Sequence, residues 1–182
     1  ETLGAIYIVR DPRNVISSMC NHYTMNFNEM YNKMIDENAS LSTKNSDGDL
    51  SNFSFLGSWS NHYKSWKNNF EFKTLFVKYE DLEENAHDEF WKILTFIEEL
   101  TGKNEPINKR KFKNAINSTN FSSLKQKEKL HGFKESLTYK KDSKTNFFNL
   151  GFKNKWQQNL PEEISSKIKE KFFNELKDLK YE

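Results

Sequence analysis

An arginine and a serine stand eight residues apart where an apolar run gives way to a segment that is typical of a helix. Arg10 directly follows the run at residues 5–9, and Ser18 falls about two helical turns further along the chain. A guanidinium presents paired N–H donors in one plane, so an arginine and a hydroxyl that converge can clamp a phosphate group. The same pattern also fits an arginine that only caps its own loop or pairs with Asp11. The spacing alone leaves both interpretations open.

The elements on either side of Arg10 are predicted by their residue types. Residues 5–9 form a short β-branched and aromatic run, as found in buried parallel strands. Asp11 is a good helix cap and Pro12 suits a first turn, so we predict a helix from Pro12 to about Tyr23. Strand, turn and helix make a βα unit of an α/β fold, in which ligands bind beyond the carboxyl ends of the strands.

A second buried strand is predicted at residues 74–77, and Tyr79 follows its carboxyl end. The acidic residues behind Tyr79 fit a helix N-terminus, where the helix dipole favours negative charge. Residues 118–150 are polar and lysine-rich, so little regular structure is predicted there. Other helices are predicted at 28–35, 58–69, 86–100 and 107–117, and from Pro161 to the C-terminal end.

The composition describes one domain over residues 1–182 with an aromatic-rich core. Sixteen Phe, seven Tyr and four Trp argue against disorder, because such side chains bury large areas when a chain collapses. The one cysteine, Cys20, excludes an intramolecular disulfide and with it a disulfide-stapled scaffold. These residues contain no apolar run of about 18, no signal-peptide pattern, no metal-ligand spacing and no glycine-rich nucleotide fingerprint.

Positive charge is concentrated in one part of the chain. Residues 101–155 contain 14 Lys and Arg against 4 Asp and Glu, a local balance of +10 in a chain of net charge +2. Such a stretch forms either a solvated surface or a surface that attracts a polyanion or a multiply phosphorylated ligand. The charge count does not decide between them.

Four segments, in order along the chain, resemble motifs of the sulfotransferase family, whose members transfer a sulfuryl group from 3′-phosphoadenosine 5′-phosphosulfate (PAPS). Residues 7–18 resemble the strand, loop and helix that bind the 3′-phosphate, and residues 57–66 resemble a helix start written Gly-Ser-Trp. Residues 74–82 resemble the strand that ends in Tyr-Glu-Asp-Leu. Residues 148–156 resemble the loop whose usual form is Arg-Lys-Gly ahead of Gly-Asp-Trp.

The resemblance is to the cytosolic, small-molecule type and covers nearly the whole chain. It implies an α/β fold: a parallel sheet flanked by helices in the P-loop-type sulfotransferase arrangement, with the first βα unit absent. By their match to the motifs, Arg10 and Ser18 are implied to contact the 3′-phosphate of PAPS or of its product PAP. Gly151 matches the glycine whose backbone amide approaches the phosphate, a position suited to a residue without a side chain.

Three further matches concern the adenosine. Tyr79 matches a tyrosine that packs near the adenine, with an ordinary core aromatic as the alternative. Thr119 and Phe121 fall where the family has a Thr-Ser-Phe that touches the adenosine, although Asn120 replaces the serine. A helix cap and a core phenylalanine are the alternatives for these two residues.

The sequence also departs from the family's motifs. Asn149 and Leu150 stand where the family has Arg and Lys, so two cationic contacts are absent, and Lys153 or Lys155 is a candidate substitute. The family's dimer motif is not matched at residues 157–161. A phosphosulfate-binding Lys-Ser-Gly-Thr-Thr loop and the catalytic histidine, a general base, are not found in these residues, and we expect them upstream of Glu1. His62, on a tryptophan-flanked helix face, is expected to be structural.

The predicted function is transfer of a sulfuryl group from PAPS to a hydroxyl or amine of a small-molecule or carbohydrate acceptor. We expect no metal, no membrane partner and a cytoplasmic location. This chain is expected to supply the 3′-phosphoadenosine half of the donor site and to be inactive alone. Two alternatives remain: a non-catalytic sulfotransferase-like binding module, and a basic nucleic-acid-binding domain. The acceptor is not predicted, although residues 36–56 and 122–146 are expected to shape its pocket.

Overall fold

The computed structural model describes residues 2–41, 53–103, 106–133 and 146–182. The strands of these ranges are β1 (Gly4–Val9), β2 (Ser40–Leu41), β3 (Ser54–Phe55) and β4 (Lys73–Lys78). The α-helices are α1 (Pro12–Tyr23), α2 (Phe27–Ile35), α3 (Trp59–Lys67), α4 (Tyr79–Glu84), α5 (Ala86–Thr101), α6 (Lys109–Ser118), α7 (Phe121–His131), α8 (Trp156–Asn159), α9 (Glu162–Lys171) and α10 (Phe173–Asp178). A 3-10 turn, Gly151–Lys153, precedes α8.

The parallel pair of β1 and β4 sets the position of the candidate site. Its register aligns Gly4 with Lys73 and Val9 with Lys78. Because the strands run in the same direction, Arg10 and Tyr79, which follow their last residues, lie at the same edge of the sheet. The two predicted strands are confirmed, and the fold is of the α/β class.

Helix α1 begins where its residue types predict. The side chain of Asp11 accepts a hydrogen bond from the backbone N–H of Arg13, and Pro12 occupies the first turn. The helix ends at Thr24, whose left-handed conformation turns the chain towards α2. Ile16 on the inner face is fully buried, so α1 is anchored in the core and holds the residues on its first two turns in place.

The main core lies between α1, α2 and the C-terminal helices. Its buried side chains are Ile16, Met30, Met34, Ile164, Ile168, Phe172 and Leu176. The sequence predicts one apolar face on the last helix, formed by Ile164, Ile168, Phe172, Leu176 and Leu179, and these side chains are buried. The helix, however, is not continuous. It breaks into α9 and α10 at Phe172, whose backbone leaves the helical region while its ring stays fully buried.

Helix α7 corrects the prediction that residues 118–150 lack regular structure. Asn120 caps it by accepting a hydrogen bond from the Ser123 N–H at 2.9 Å, and Gly132 follows its last residue. Glu128, buried on α7, accepts hydrogen bonds from the backbone N–H groups of Phe147 and Phe148. The sequence of α7 shows no clear apolar stripe, so the helix was not predicted. Capping by Asn120 and the hydrogen bonds to Glu128 stabilise it instead.

One face of the parallel pair is less buried than predicted. Helix α5 packs over β4, so Val77 is buried while Ile8 of β1 remains 53% exposed. The sequence predicts a buried stripe of Phe90, Leu94, Ile97 and Leu100 on α5. Phe90 and Ile97 are instead exposed in the described part of the chain, whereas Leu100 lies against Gly4 of β1.

The predicted polar loop at residues 36–56 is partly described. Its two ends pair as the short antiparallel strands β2 and β3, and residues 42–52 lie outside the described residues. The same holds for 134–145, within the segment 122–146. Among the described helices, none is long and apolar enough to cross a membrane.

Candidate functional site

A cavity of about 900 Å3 opens beyond the carboxyl ends of β1 and β4. Its walls come from α1, α4, the start of α5, the junction of α6 and α7, residues 147–152 and Asn154. All six residues proposed from the sequence line it: Arg10, Ser18, Tyr79, Thr119, Phe121 and Gly151. The fold therefore brings together residues that are up to 141 positions apart, as the Arg10–Gly151 contact illustrates.

Arg10 lies at the centre of this cluster. Its Nη1 is 3.4 Å from the Ser18 Oγ, and its Nη2 is 3.5 Å from the Gly151 carbonyl oxygen. The guanidinium stacks 4.3 Å above the Tyr79 ring. Its Nε is buried and has no hydrogen-bond partner. These contacts are long or incomplete, so the guanidinium keeps donor capacity for an anion in the cavity.

The alternative pairing of Arg10 with Asp11 does not occur. Asp11 instead forms a buried ion pair with Arg13, whose Nη2 is 2.8 Å from the Asp11 Oδ2. The arginine at the strand end is thus left facing the cavity, while the arginine three residues later satisfies the capping carboxylate. Local sequence reasoning had no means to choose between these two arginines.

The titratable side chains of Tyr79 and Glu83 line one side of the cavity. Burial raises the pKa of the Tyr79 hydroxyl, and the nearby Glu83 carboxylate raises it further. Burial also raises the pKa of the Glu83 carboxyl, against the opposing effect of the Arg10 charge. Glu83 was not singled out from the sequence, because one acidic residue in an acidic helix gives no local signal.

Thr119 and Phe121 lie at the junction of α6 and α7. The Thr119 hydroxyl donates to the Ala115 carbonyl oxygen at 2.7 Å, so it closes the end of α6 as the cap alternative predicts. Phe121 begins α7, and its ring meets that of Phe148 edge to face with centroids 6.0 Å apart. The half-buried Phe121 ring therefore offers an aromatic surface to the cavity.

Gly151 lies against Phe121 with no room for a side chain. Its φ is +57°, a conformation that L residues rarely adopt. A Cβ built on Gly151 lies 2.7 Å from atoms of the Phe121 ring. Both the backbone conformation and the close approach thus require glycine at this position.

Gly151→Ala is expected to lower the free energy of unfolding by about 2–4 kcal/mol, from a strained φ and from overpacking against Phe121. Gly102→Ala is the matched control, since its φ is +65° with nothing within 4 Å of the added Cβ. The free energy of unfolding of the control should fall by only about 1 kcal/mol, because Gly102→Ala strains the backbone φ without a steric clash. Urea unfolding of both variants measures the difference, and equal losses would show that the Phe121 contact is not tight.

The cavity holds few positive charges. Among the described residues that line it, Arg10 is the one lysine or arginine. Asn149 and Leu150 line it without supplying a cation, and Lys153 and Lys155, the predicted substitutes, are not among the lining residues. The ammonium group of Lys125 on α7 donates to the Asn149 carbonyl oxygen at the rim.

Sequence reasoning missed a second set of residues that hold the site together. Asn154 is buried, and its side-chain amide donates to the Ser18 Oγ at 2.9 Å. The Asn14 Oδ1 accepts from the backbone N–H of Trp156 at 2.8 Å, which ties α8 to α1. By the match of residues 148–156 to the family's loop, Asn154 stands where the Gly of Gly-Asp-Trp is usual. This replacement is the feature of the sequence that could have drawn attention to Asn154.

The C-terminal residues fix the strand ends from the other side. The Tyr181 hydroxyl donates to Glu80 at 2.7 Å, and Glu80 also accepts from the backbone N–H of Asp11 at 3.3 Å. Burial, followed by the bond to Glu80, raises the pKa of Tyr181. Glu182 bonds to the guanidinium of Arg13. The loops that follow β1 and β4 are thereby joined to one another through the chain's end.

His62 has the structural role predicted for it. Its Nδ1 lies 3.0 Å from the Tyr7 hydroxyl, and the side chain is half-buried among aromatic rings. Burial lowers the pKa of His62 and raises that of Tyr7 to about 12. In the described residues no group of three or more His, Cys, Asp or Glu is arranged to hold a metal ion.

Residues 3–180 match the family model described as a sulfotransferase domain, and the chain belongs to the sulfotransferase family. The dog (Canis lupus familiaris) protein sulfotransferase 1B1 is 34% identical over 102 residues, which cover 56% of this chain and 32% of the dog protein. The resemblance inferred from the four sequence motifs is therefore confirmed.

Two solved structures share the fold. Mouse sulfotransferase SULT7A1, complexed with PAP, superposes with a TM-score of 0.62 at 22% identity, covering 94% of this chain and 58% of the mouse chain. A retinol dehydratase in complex with androsterone and the inactive cofactor PAP superposes with a TM-score of 0.60 at 19% identity, covering 95% and 47%. The chain thus spans between 32% and 58% of the length of these relatives.

Proposed function

We propose that the cavity binds the 3′-phosphoadenosine part of PAPS, and that the protein transfers its sulfuryl group to a hydroxyl or amine of a small-molecule or carbohydrate acceptor in the cytoplasm. The observation that carries the proposal is the convergence of Arg10 and Ser18 on one cavity, with a buried Arg10 Nε that has no partner. Two structural relatives complexed with PAP support it.

The described residues have distinct parts in this proposal. Arg10 and Ser18 hold the 3′-phosphate, with the backbone of Gly151 close by, and the rings of Tyr79 and Phe121 flank the adenosine. In the reaction, the acceptor oxygen or nitrogen forms a bond to sulfur as the bond from sulfur to the 5′-phosphate oxygen breaks. A fixed donor nucleotide promotes such an in-line displacement by positioning. The proposal assigns neither the general base nor the phosphosulfate loop to a residue of this chain.

Calorimetric titration of the chain with PAP and with AMP tests the donor site. PAP carries the 3′-phosphate that AMP lacks, and we expect it to bind at least about tenfold more tightly. Adenosine 2′,5′-bisphosphate is the matched control, since it has the same charge as PAP with the phosphate moved by one carbon. Equal binding of all three nucleotides contradicts the proposal. Binding that ignores the phosphate position and falls steeply with salt would favour the nucleic-acid alternative.

A non-catalytic binding module is the second candidate, and the single lysine or arginine among the cavity's described lining residues favours it. Asn149 and Leu150 stand where the family has two cationic residues. We therefore expect a lower affinity for PAP than in a site that holds Arg10 together with both of those cations. An assay of the protein with radiolabelled PAPS and a panel of phenols, alcohols and amines separates the two candidates. Sulfated product supports the enzyme, whereas PAP binding without any product supports the binding module.

Glu83→Gln is expected to strengthen PAP binding about three- to tenfold at neutral pH, because it removes a carboxylate that faces the same cavity as Arg10. The pKa of Glu83 lies above its usual value, so the wild-type carboxyl is protonated early as the pH falls. The advantage of the variant should therefore shrink as the pH falls from neutral into the acidic range in which the wild-type carboxyl takes up its proton.

Titration calorimetry across this pH range measures the ratio of the two PAP affinities, in which the ligand's own ionisation cancels. Glu84→Gln is the control, because it makes the same change on a neighbouring exposed residue that does not line the cavity. An affinity for PAP that is unchanged or weaker in Glu83→Gln would show that this carboxylate does not face the phosphate.

A further inference from the structure

The side chain of Asn154 reaches from the loop before α8 to the middle of α1. It is 4% exposed. Its Nδ2 lies 2.8 Å from the main-chain oxygen of Asn14 and 2.9 Å from the Oγ of Ser18. These two acceptors belong to residues four positions apart, which lie one above the other on a helix. One amide group thus bridges two successive turns of α1 at the wall of the cavity.

The orientation of this amide follows from its partners. The Asn14 carbonyl can only accept a hydrogen bond, so the Asn154 atom that faces it must be the nitrogen. The same NH2 group carries a second proton, which points to Ser18. Towards the Ser18 hydroxyl, Asn154 is therefore a donor and never an acceptor.

The hydroxyl of a serine within a helix commonly donates to the carbonyl oxygen four residues earlier. For Ser18 that oxygen belongs to Asn14. It already accepts the backbone N–H of Ser18 in the helix and the amide of Asn154, so both of its lone pairs are used. The Asn14 carbonyl therefore leaves no place for the Ser18 proton.

The oxygen of Ser18 is also occupied. It has two lone pairs and one proton, and it receives hydrogen bonds from Asn154 at 2.9 Å and, more weakly, from the Arg10 Nη1 at 3.4 Å. The one hydrogen bond that Ser18 can still make is therefore the one that its own O–H donates. Because Ser18 lines the cavity, that O–H is available to an acceptor there.

We propose that Asn154 is a positioning residue that makes Ser18 an obligate donor to an anionic group in the cavity, and so sets the preference for a nucleotide with a 3′-phosphate. This inference rests on the proposed function, in which Ser18 contacts that phosphate. The loop after Gly151 then contributes to phosphate binding through an amide, since its two lysines, Lys153 and Lys155, do not line the cavity. The Asn154 amide determines that the Ser18 hydroxyl on α1 acts as a hydrogen-bond donor.

A double-mutant cycle tests this role, with Asn154→Ala, Ser18→Ala and the double variant titrated with PAP and with AMP. Asn154→Ala should weaken PAP binding about five- to tenfold and change AMP binding less than about twofold, since AMP lacks the phosphate that Ser18 contacts. In the Ser18→Ala background, Asn154→Ala should have no further effect on the affinity for PAP.

Several outcomes overturn the proposal. Asn154→Ala has a merely structural effect if it weakens PAP and AMP alike, or if its effect persists in the Ser18→Ala background. A wild-type chain without any preference for PAP over AMP defeats the proposed function itself, which is a distinguishable failure. If Asn154→Ala does not fold, Asn154→Ser keeps a neutral hydroxyl that can donate to the Asn14 carbonyl and accept the Ser18 proton, so it should lose the PAP preference, and retention of that preference rejects the proposal.

Discussion

Arg10→Gln is expected to weaken PAP binding about 30- to 100-fold while leaving AMP binding within about threefold of the wild type. The guanidinium of Arg10 lies between Ser18, Gly151 and Tyr79, and its Nε is buried without a partner. Glutamine keeps some hydrogen-bonding capacity but removes the charge and the planar pair of donors. The preference for PAP over AMP should therefore disappear almost completely. Calorimetric titration with both nucleotides measures it.

Arg110→Gln is the matched control for this variant. Arg110 is exposed on α6, within the lysine-rich part of the chain, and it does not line the cavity. The two variants change the net charge equally, so any general attraction of the anion falls equally in both. If Arg110→Gln lowers the affinity for PAP as much as Arg10→Gln does, a diffuse positive field binds the nucleotide and the assignment of Arg10 is wrong.

The largest expected effect on stability comes from Arg13→Met, at about 3–5 kcal/mol of the free energy of unfolding. Arg13 is 3% exposed, and it pairs with the buried Asp11 and with Glu182. It also donates to the main-chain oxygen of Tyr181 at 3.1 Å and stacks 4.2 Å from the Trp156 ring. Methionine fills part of this volume but leaves the Asp11 carboxylate buried without its cation. Urea unfolding at neutral pH measures the loss.

Two comparisons show whether the orphaned charge causes this loss. Arg13→Met combined with Asp11→Asn should recover part of the stability, because no uncompensated carboxylate remains. Lys167→Met removes a cation from the exposed pair of Lys167 and Glu163 on α9 and should change stability too little to measure. An Arg13→Met chain as stable as the wild type would show that the network around α1 contributes little.

The part of the site that was predictable is the part built by neighbouring residues. Asp11 and Pro12 start α1 by local capping chemistry, and the apolar run before them forms β1. The positions of Arg10 and Ser18 follow from these two elements. Because parallel strands bring their carboxyl ends together, the proximity of Tyr79 to Arg10 was also predictable.

The rest depends on contacts between residues far apart in the chain, which no local pattern encodes. Asn154 meets Ser18 across 136 positions. The same is true of α7, where a polar, lysine-rich sequence hid a helix held by capping and by Glu128. Local residue patterns also did not show which of two nearby arginines faces the cavity, and Arg10 was assigned by the family resemblance alone. The choice depends on where Glu182 and Trp156 pack.

A crystal structure of the chain grown with PAP would show directly whether this cavity is the donor site. We expect the 3′-phosphate to lie within about 3 Å of the Arg10 guanidinium and of the Ser18 Oγ, as charge-assisted hydrogen bonds require. The adenosine should lie against Phe121 and the wall formed by Tyr79. PAP bound instead on the exposed lysines of α6, or with its 3′-phosphate turned away from Arg10, would contradict the claim that this cavity recognises the 3′-phosphate of the sulfuryl donor.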